Sequence, residues 1–75
     1  MIRIKLRQLI DDKSFKEGKK ITLDNITEAT GLSKSTLSRM QSIQGYPATL
    51  ETIDALCNYL ECQPGDLLEY VDDRD

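Results

Sequence analysis

Ala29-Thr30-Gly31-Leu32-Ser33-Lys34-Ser35-Thr36-Leu37-Ser38-Arg39 decides how this 75-residue chain reads. It is the end of one helix, a turn centred on Gly31, and the start of a second helix. Glycine readily takes the left-handed conformation that ends a helix. Leu32 supplies an apolar plug for the turn, and Ser33 has the short oxygen-bearing side chain of an N-cap. At about 100° per residue, Lys34, Ser35, Ser38, Arg39 and Ser42 fall within an arc of about 140°. Thr36, Leu37, Met40 and Ile43 occupy the other side. One face is apolar and expected to be buried; the other is short-stemmed, hydroxylated and doubly cationic. This pattern is that of a helix-turn-helix, whose second helix enters the DNA major groove.

Upstream of the turn, Thr22 is a good N-cap and Asp24 suits the positive end of a helix. Leu23, Ile26, Thr27 and Thr30 lie on one arc of about 100°, with Asp24 and Glu28 outside it. Further back, Ile2, Leu6, Leu9 and Ile10 recur at helical spacing, which predicts a first helix ending near Asp12 or Lys13. Residues 13–20 are polar and contain Gly18, so they read as a loop from which Phe15 packs back on the core. Downstream, Gln44-Gly45-Tyr46-Pro47 breaks the chain. Thr49 caps a fourth helix with Leu50, Ile53, Leu56, Cys57 and Leu60 as its buried stripe. Pro64 starts a short last element bearing Leu67, Leu68 and Val71. The expectation is an all-α fold, a compact five-helix domain over residues 1–75 with a loose acidic tail at 72–75. A short two-stranded ribbon pairing residues 1–4 with 69–71 is the one β element the sequence allows.

Bulk properties narrow the function. A chain this short buries only about 60% of its unfolded surface. It has neither an apolar run of about 18 residues for a membrane span nor the apolar core of a signal peptide. The default is a soluble cytoplasmic protein. Histidine is absent, which removes the commonest metal ligand and general base. Cys57 and Cys62 are five apart, which on a continuous helix puts them on different faces and is not the spacing of redox or zinc pairs. Asp11-Asp12 and Asp72-Asp73 read as solvated carboxylates. With no base to activate a hydroxyl, the reading is not an enzyme, and no cofactor or metal is expected.

The net charge of −3 is unequally distributed. Residues 1–46 hold nine cations and five acids, net +4, whereas residues 47–75 hold one cation and eight acids, net −7. A polyanion responds to local potential, so the first part can face phosphate while the second faces away; the same blocks also suit an ordinary solvated surface.

Each polar residue near the turn has a matching chemistry. Arg39 can bond bidentately to guanine O6 and N7. Lys34 sits in the first turn, the part of a recognition helix nearest the bases. Ser35 and Ser38 are short enough for close approach and can bond a base edge. Ser33 and Thr36, at the positive helix N-terminus, suit a phosphate. Lys19, Lys20 and Thr22 lie at the entrance to the second helix, and Gln44 and Tyr46 follow the third; all five are candidate phosphate contacts, which set register rather than sequence. The two lysines could equally be solvated loop charges, and Tyr46 could equally pack on the fourth helix.

Residues 22–40 resemble the helix-turn-helix of Cro and phage-repressor-type regulators, the XRE family. Thr49-Leu50-Glu51-Thr52-Ile53-Asp54-Ala55-Leu56-Cys57 and Cys62-Gln63-Pro64-Gly65-Asp66-Leu67-Leu68-Glu69-Tyr70 are similar to that family's fourth and fifth helices. The resemblance implies a five-helix repressor-like domain, a homodimer on a palindromic operator, base-reading positions at Lys34, Ser35, Ser38 and Arg39, and a phosphate contact at Thr22. Three departures stand out. Leu23 replaces a frequent Gln. Thr27 replaces a small Ala, which widens the helix crossing or places a hydroxyl to bond within the first turn. Residues 43–47 lack the usual cation, for which the Lys-rich segment before Thr22 could compensate. The functional expectation is a sequence-specific, DNA-binding transcriptional regulator with double-stranded DNA as partner. The alternative is a protein-interaction module, antitoxin-like or a regulator's partner subunit, docking through the acidic C-terminal part.

Overall fold

Three helices begin where a hydroxyl can satisfy their first free amides. The computed structural model describes residues 1–72 and 74. It runs β1 (Ile2–Ile4), α1 (Leu6–Glu17), α2 (Leu23–Thr30), α3 (Lys34–Ser42), α4 (Leu50–Leu60), α5 (Pro64–Leu67) and β2 (Leu68–Tyr70). Thr22, Ser33 and Thr49 each accept a hydrogen bond from the backbone N–H three residues on, at the starts of α2, α3 and α4. Such a cap is worth about 1 kcal/mol. At α2 the cap is reciprocal, because Asn25 Oδ1 accepts from the Thr22 amide at 3.0 Å.

The core is drawn from every helix. Leu6 and Ile10 come from α1, Ile26 from α2, Leu37 and Met40 from α3, Ile53, Leu56 and Leu60 from α4, and Leu67 from α5, with Ile21 added from the segment before α2. Among the described residues no polar or charged residue is buried as a whole. α2 packs on α3 and α4, while α1 lies against α3 and α4.

β1 and β2 form the antiparallel ribbon that the sequence allowed, in the register Ile2↔Tyr70, Arg3↔Glu69, Ile4↔Leu68. It is held at both ends. Met1 exchanges backbone hydrogen bonds with Val71, and the Lys5 amide donates to Leu67 O at 2.7 Å. Arg3 and Glu69 face each other at 3.7 Å.

Four expectations are corrected. The first helix spans 6–17 rather than ending near residue 12: Ile2 and Ile4 belong to the ribbon, and the supposed loop from Lys13 is helical up to Glu17. Local bonds sustain the extra turn. Lys13 pairs with Glu17 one turn on, and Ser14 Oγ donates to Ile10 O while accepting the Ile21 amide. Gly18, at φ 69°, then ends the helix. Continuing the helix carries Phe15 about 140° away from Ile10, so its ring is 91% exposed instead of packed on the core. Leu50 is 84% exposed, because it sits in the first turn of α4 at the edge of the stripe. Ile43 is about half exposed, because the chain turns extended there (φ −102°, ψ 116°) and leaves the helical wheel.

The cysteines add a fifth. α4 ends at Leu60, Glu61 adopts a left-handed conformation, and the Cys62 amide returns to donate to Cys57 O at 3.1 Å. The two free thiols are therefore neighbours, not residues on opposite helix faces. Burial, then the adjacent Cys57, pushes the Cys62 thiol up to about 11, so it is protonated and a poor nucleophile near neutral pH. Of the tail expected over 72–75, Asp73 and Asp75 lie outside the described residues; Asp72 accepts from the Arg74 guanidinium at 3.1 Å. No described helix is long and apolar enough to cross a membrane.

These positions predict opposite responses to truncation. Leu37→Ala should cost about 2–5 kcal/mol in urea unfolding. Phe15→Ser, despite removing the larger side chain, should change stability by less than about 0.5 kcal/mol.

Candidate nucleic-acid interface

The turn between α2 and α3 is built from backbone geometry and one hydroxyl. Gly31 has φ 80° and ψ 0°, and its N–H donates to Thr27 O at 2.8 Å. A Cβ at Gly31 would meet nothing within 4 Å, so the requirement there is conformational rather than steric. Thr30 Oγ1 donates to Ile26 O at 2.7 Å and accepts the Leu32 amide at 3.2 Å, strapping the two sides of the turn together. Leu32 is half-buried against the core, as a turn plug should be. Sequence reading placed Thr30 on the inner arc of α2 but could not assign it this bond, which depends on where the chain goes after Gly31.

Beyond the turn, Leu37 (0% exposed) and Met40 (2%) insert into the core and set the rotation of α3. Lys34, Ser35, Ser38, Arg39 and Ser42 are consequently all exposed on its outer side. Their starting states differ. Arg39 has no hydrogen-bond or ion-pair partner among the described residues. Lys34 Nζ lies 3.2 Å from Asp24 Oδ1 on α2, with both side chains largely in solvent. Ser42 Oγ donates to Ser38 O at 3.1 Å. At the head of α3, Ser33 Oγ donates to Thr36 Oγ1 at 2.7 Å while accepting the Thr36 amide at 3.1 Å. Ser33 and Thr36 are thus committed to each other and to the cap.

The other candidate phosphate residues are dispersed. Thr22 is exposed, with its hydroxyl engaged by Asn25. Lys19 and Lys20 are exposed between α1 and α2. Lys19 shares a shallow hollow with Glu17, Asn25, Glu28 and Tyr59, which includes no α3 residue. Gln44 is exposed, whereas Tyr46 is half-buried and packs against the core. The structure therefore gathers Lys34, Ser35, Ser38 and Arg39 on one surface with Ser33 and Thr36 at its head, and sets Lys19 apart. Two further contacts to this surface were not foreseen, Asp24 with Lys34 and Arg7 with Gln41 (Nη2 to Oε1, 2.9 Å). Both join residues distant in sequence, so neither leaves a local signal.

A family profile for the Cro/C1-type HTH DNA-binding domain matches residues 5–73. The chain belongs to that family. A relative, the uncharacterized HTH-type transcriptional regulator YozG of Bacillus subtilis (strain 168), is 37% identical over 57 residues, covering 76% of this chain and 68% of the relative. No solved structure matches the chain significantly. The profile agrees with the resemblance carried by residues 22–40 and the two C-terminal blocks, and with the five helices described above. The second helix of the helix-turn-helix is α3.

Of the two outcomes expected at Thr27, the hydroxyl bond within the first turn does not form: its Oγ1 is buried and has no hydrogen-bond partner among the described residues. A buried hydroxyl left unpaired costs about 1–3 kcal/mol. Thr27→Val keeps the shape and removes the hydroxyl, so it should raise the urea midpoint by the equivalent of about 1 kcal/mol. Asp24→Asn removes the anion beside Lys34. An exposed pair of this kind is worth about 0.2–1 kcal/mol, so duplex DNA should bind tighter by up to about fivefold in a fluorescence titration.

Proposed function

We propose that this protein is a sequence-specific transcriptional regulator that reads the major groove with α3, as a homodimer on a palindromic operator. The observation that carries the reading is the outer face of α3, where Lys34, Ser35, Ser38 and Arg39 stand exposed above a helix anchored by Leu37 and Met40. Arg39, without a partner among the described residues, is the bidentate donor suited to guanine O6 and N7. Lys34 exchanges Asp24 for the DNA and contacts bases from the first turn. Ser35 and Ser38 bring the helix close and bond base edges. Thr22, Ser33 and Thr36 meet phosphates at helix N-termini, where free amides and the helix dipole favour anions. Lys19, Lys20 and Gln44 add backbone contacts, and Tyr46 contributes from its half-buried position only through its edge.

One copy reads one half-site. Half-sites on a two-fold operator recur about 34 Å apart, and a molecule measuring 40 × 23 × 19 Å is of the size that lets two copies sit side by side at that spacing. The acidic block begins after Pro47, with Glu51 and Asp54 on α4, Asp66 on α5 and Glu69 on β2, which leaves the base-reading helix in the net-positive part of the chain.

Selection of bound duplexes from a random pool, followed by titration at several salt concentrations, tests this reading. The enriched sites should contain inverted half-sites about one helical turn apart. Lys34→Ala and Arg39→Ala should each cost about 1–3 kcal/mol on those sites and less on random DNA, whereas Lys20→Ala should weaken both alike. A pool that shows no enrichment sinks the sequence-specific reading, and enrichment of single, unrepeated sites sinks the homodimer.

A further inference from the structure

We propose that Arg7, docked on Gln41, grips a DNA phosphate beside the C-terminal half of α3. The inference rests on the reading of α3 as the major-groove helix. After Arg39 the chain carries no cation until Arg74, so the segment leaving α3 cannot itself bring positive charge to the backbone there. Tertiary structure supplies that charge from the other end of the chain. β1 and the start of α1 run beside the end of α3, and between them lies an open cleft of about 810 Å³. Arg3, Lys5 and Arg7 line one wall, and Gln41 and Gln44 line the other. The nearest acids, Asp11 and Asp12, also border the cleft but sit a turn further along α1. Arg7 pairs with neither, nor with any other carboxylate among the described residues.

Spare donors outnumber spare acceptors at this contact. Arg7 Nη2 donates to Gln41 Oε1 at 2.9 Å, which occupies one lone pair of that oxygen and steadies the guanidinium. The remaining guanidinium N–H groups point elsewhere in a rigid fork suited to phosphate. Gln41 Nε2 is out of contact with solvent and has no partner among the described residues. The cleft is lined by three cations, Arg3, Lys5 and Arg7, against two acids, Asp11 and Asp12; although Arg3 also faces Glu69, Arg7 keeps spare guanidinium donors, and this balance favours an anion. The position of the cleft selects which anion. On the α3 wheel Gln41 is about 20° from Lys34 and 60° from Ser38, at the rim of the base-reading face. A duplex seated on that face runs its backbone past this rim, so the ligand is a backbone phosphate rather than free inorganic phosphate.

The test uses the full chain, a random duplex and duplexes enriched from the pool, and inorganic phosphate alone. In Arg7→Ala, affinity for both kinds of duplex should fall about fivefold at about 0.15 M salt, and the slope of log K against log salt should shrink by about one. Arg7→Lys should restore the slope, and Arg7→Gln serves if the alanine variant melts early. Lys16→Ala, which removes a cation from the opposite face of α1, should leave the slope unchanged. An unaltered slope in Arg7→Ala or Arg7→Gln overturns the inference. So does a loss confined to enriched duplexes, which means a base contact, and so does saturable binding of inorganic phosphate that depends on Arg7 while DNA binding does not. If the parent protein binds no duplex, the DNA reading itself falls and takes this inference with it; if the parent binds and only the Arg7 result fails, the reading of α3 stands.

Discussion

Burial of Leu37 and Met40 in the common core is the constraint on which the rest of the surface depends. α3 is only nine residues long, and a helix that short gains little stability from its own hydrogen bonds. Its existence and its rotation are set by the two side chains it inserts into the common core, where it packs against α1 and α2. Once those are seated, Lys34, Ser35, Ser38 and Arg39 have no choice but to face outward. A rotation of α3 by one residue, about 100°, would bury a serine or an arginine in place of a leucine, at a cost well above the total that one exposed contact could return.

Around that anchor the molecule places its charges unevenly. Among the described residues Arg39 is unengaged, Lys34 is held by Asp24, and Arg7 reaches α3 through Gln41. These are surface contacts of small individual energy. Their importance lies in position: each fixes where a cation stands relative to the exposed face of one helix. On the proposed reading, Asp24 moderates binding by competing for Lys34, while Arg7 strengthens it at the end of α3, beyond which the chain carries no cation until Arg74. None of the acids of residues 47–75 belongs to α3, which ends at Ser42.

Sequence reading succeeded where the determining forces are local and misplaced what is decided by neighbours. Three N-caps, the Gly31 turn and the two-sided α3 were legible because caps, left-handed glycines and helical periodicity act within four residues. The end of α1 was misjudged because the polar run from Lys13 has no apolar stripe. Its helicity rests on the Lys13–Glu17 pair and on a Ser14 hydroxyl that ties α1 to Ile21. Phe15 and Leu50 were read as core because large apolar residues usually are; their exposure follows from helix phase and from the ends of neighbouring elements, which a one-dimensional pattern does not contain. The two cysteines came together because Glu61 turned the chain back, a conformation unusual for a non-glycine residue.

By itself, the sequence determined the order of the helices, the turn that joins α2 to α3, the hydroxylated and cationic character of one face of α3, and membership of a DNA-binding family. These depend on periodicity and on residue chemistry read over short spans. Only the tertiary structure decided which cations are free, which are paired, and which distant segment stands beside the end of α3. Those outcomes depend on contacts between residues ten or more apart, such as Lys34 with Asp24 and Gln41 with Arg7, and such contacts exist only after the core has fixed how the helices cross.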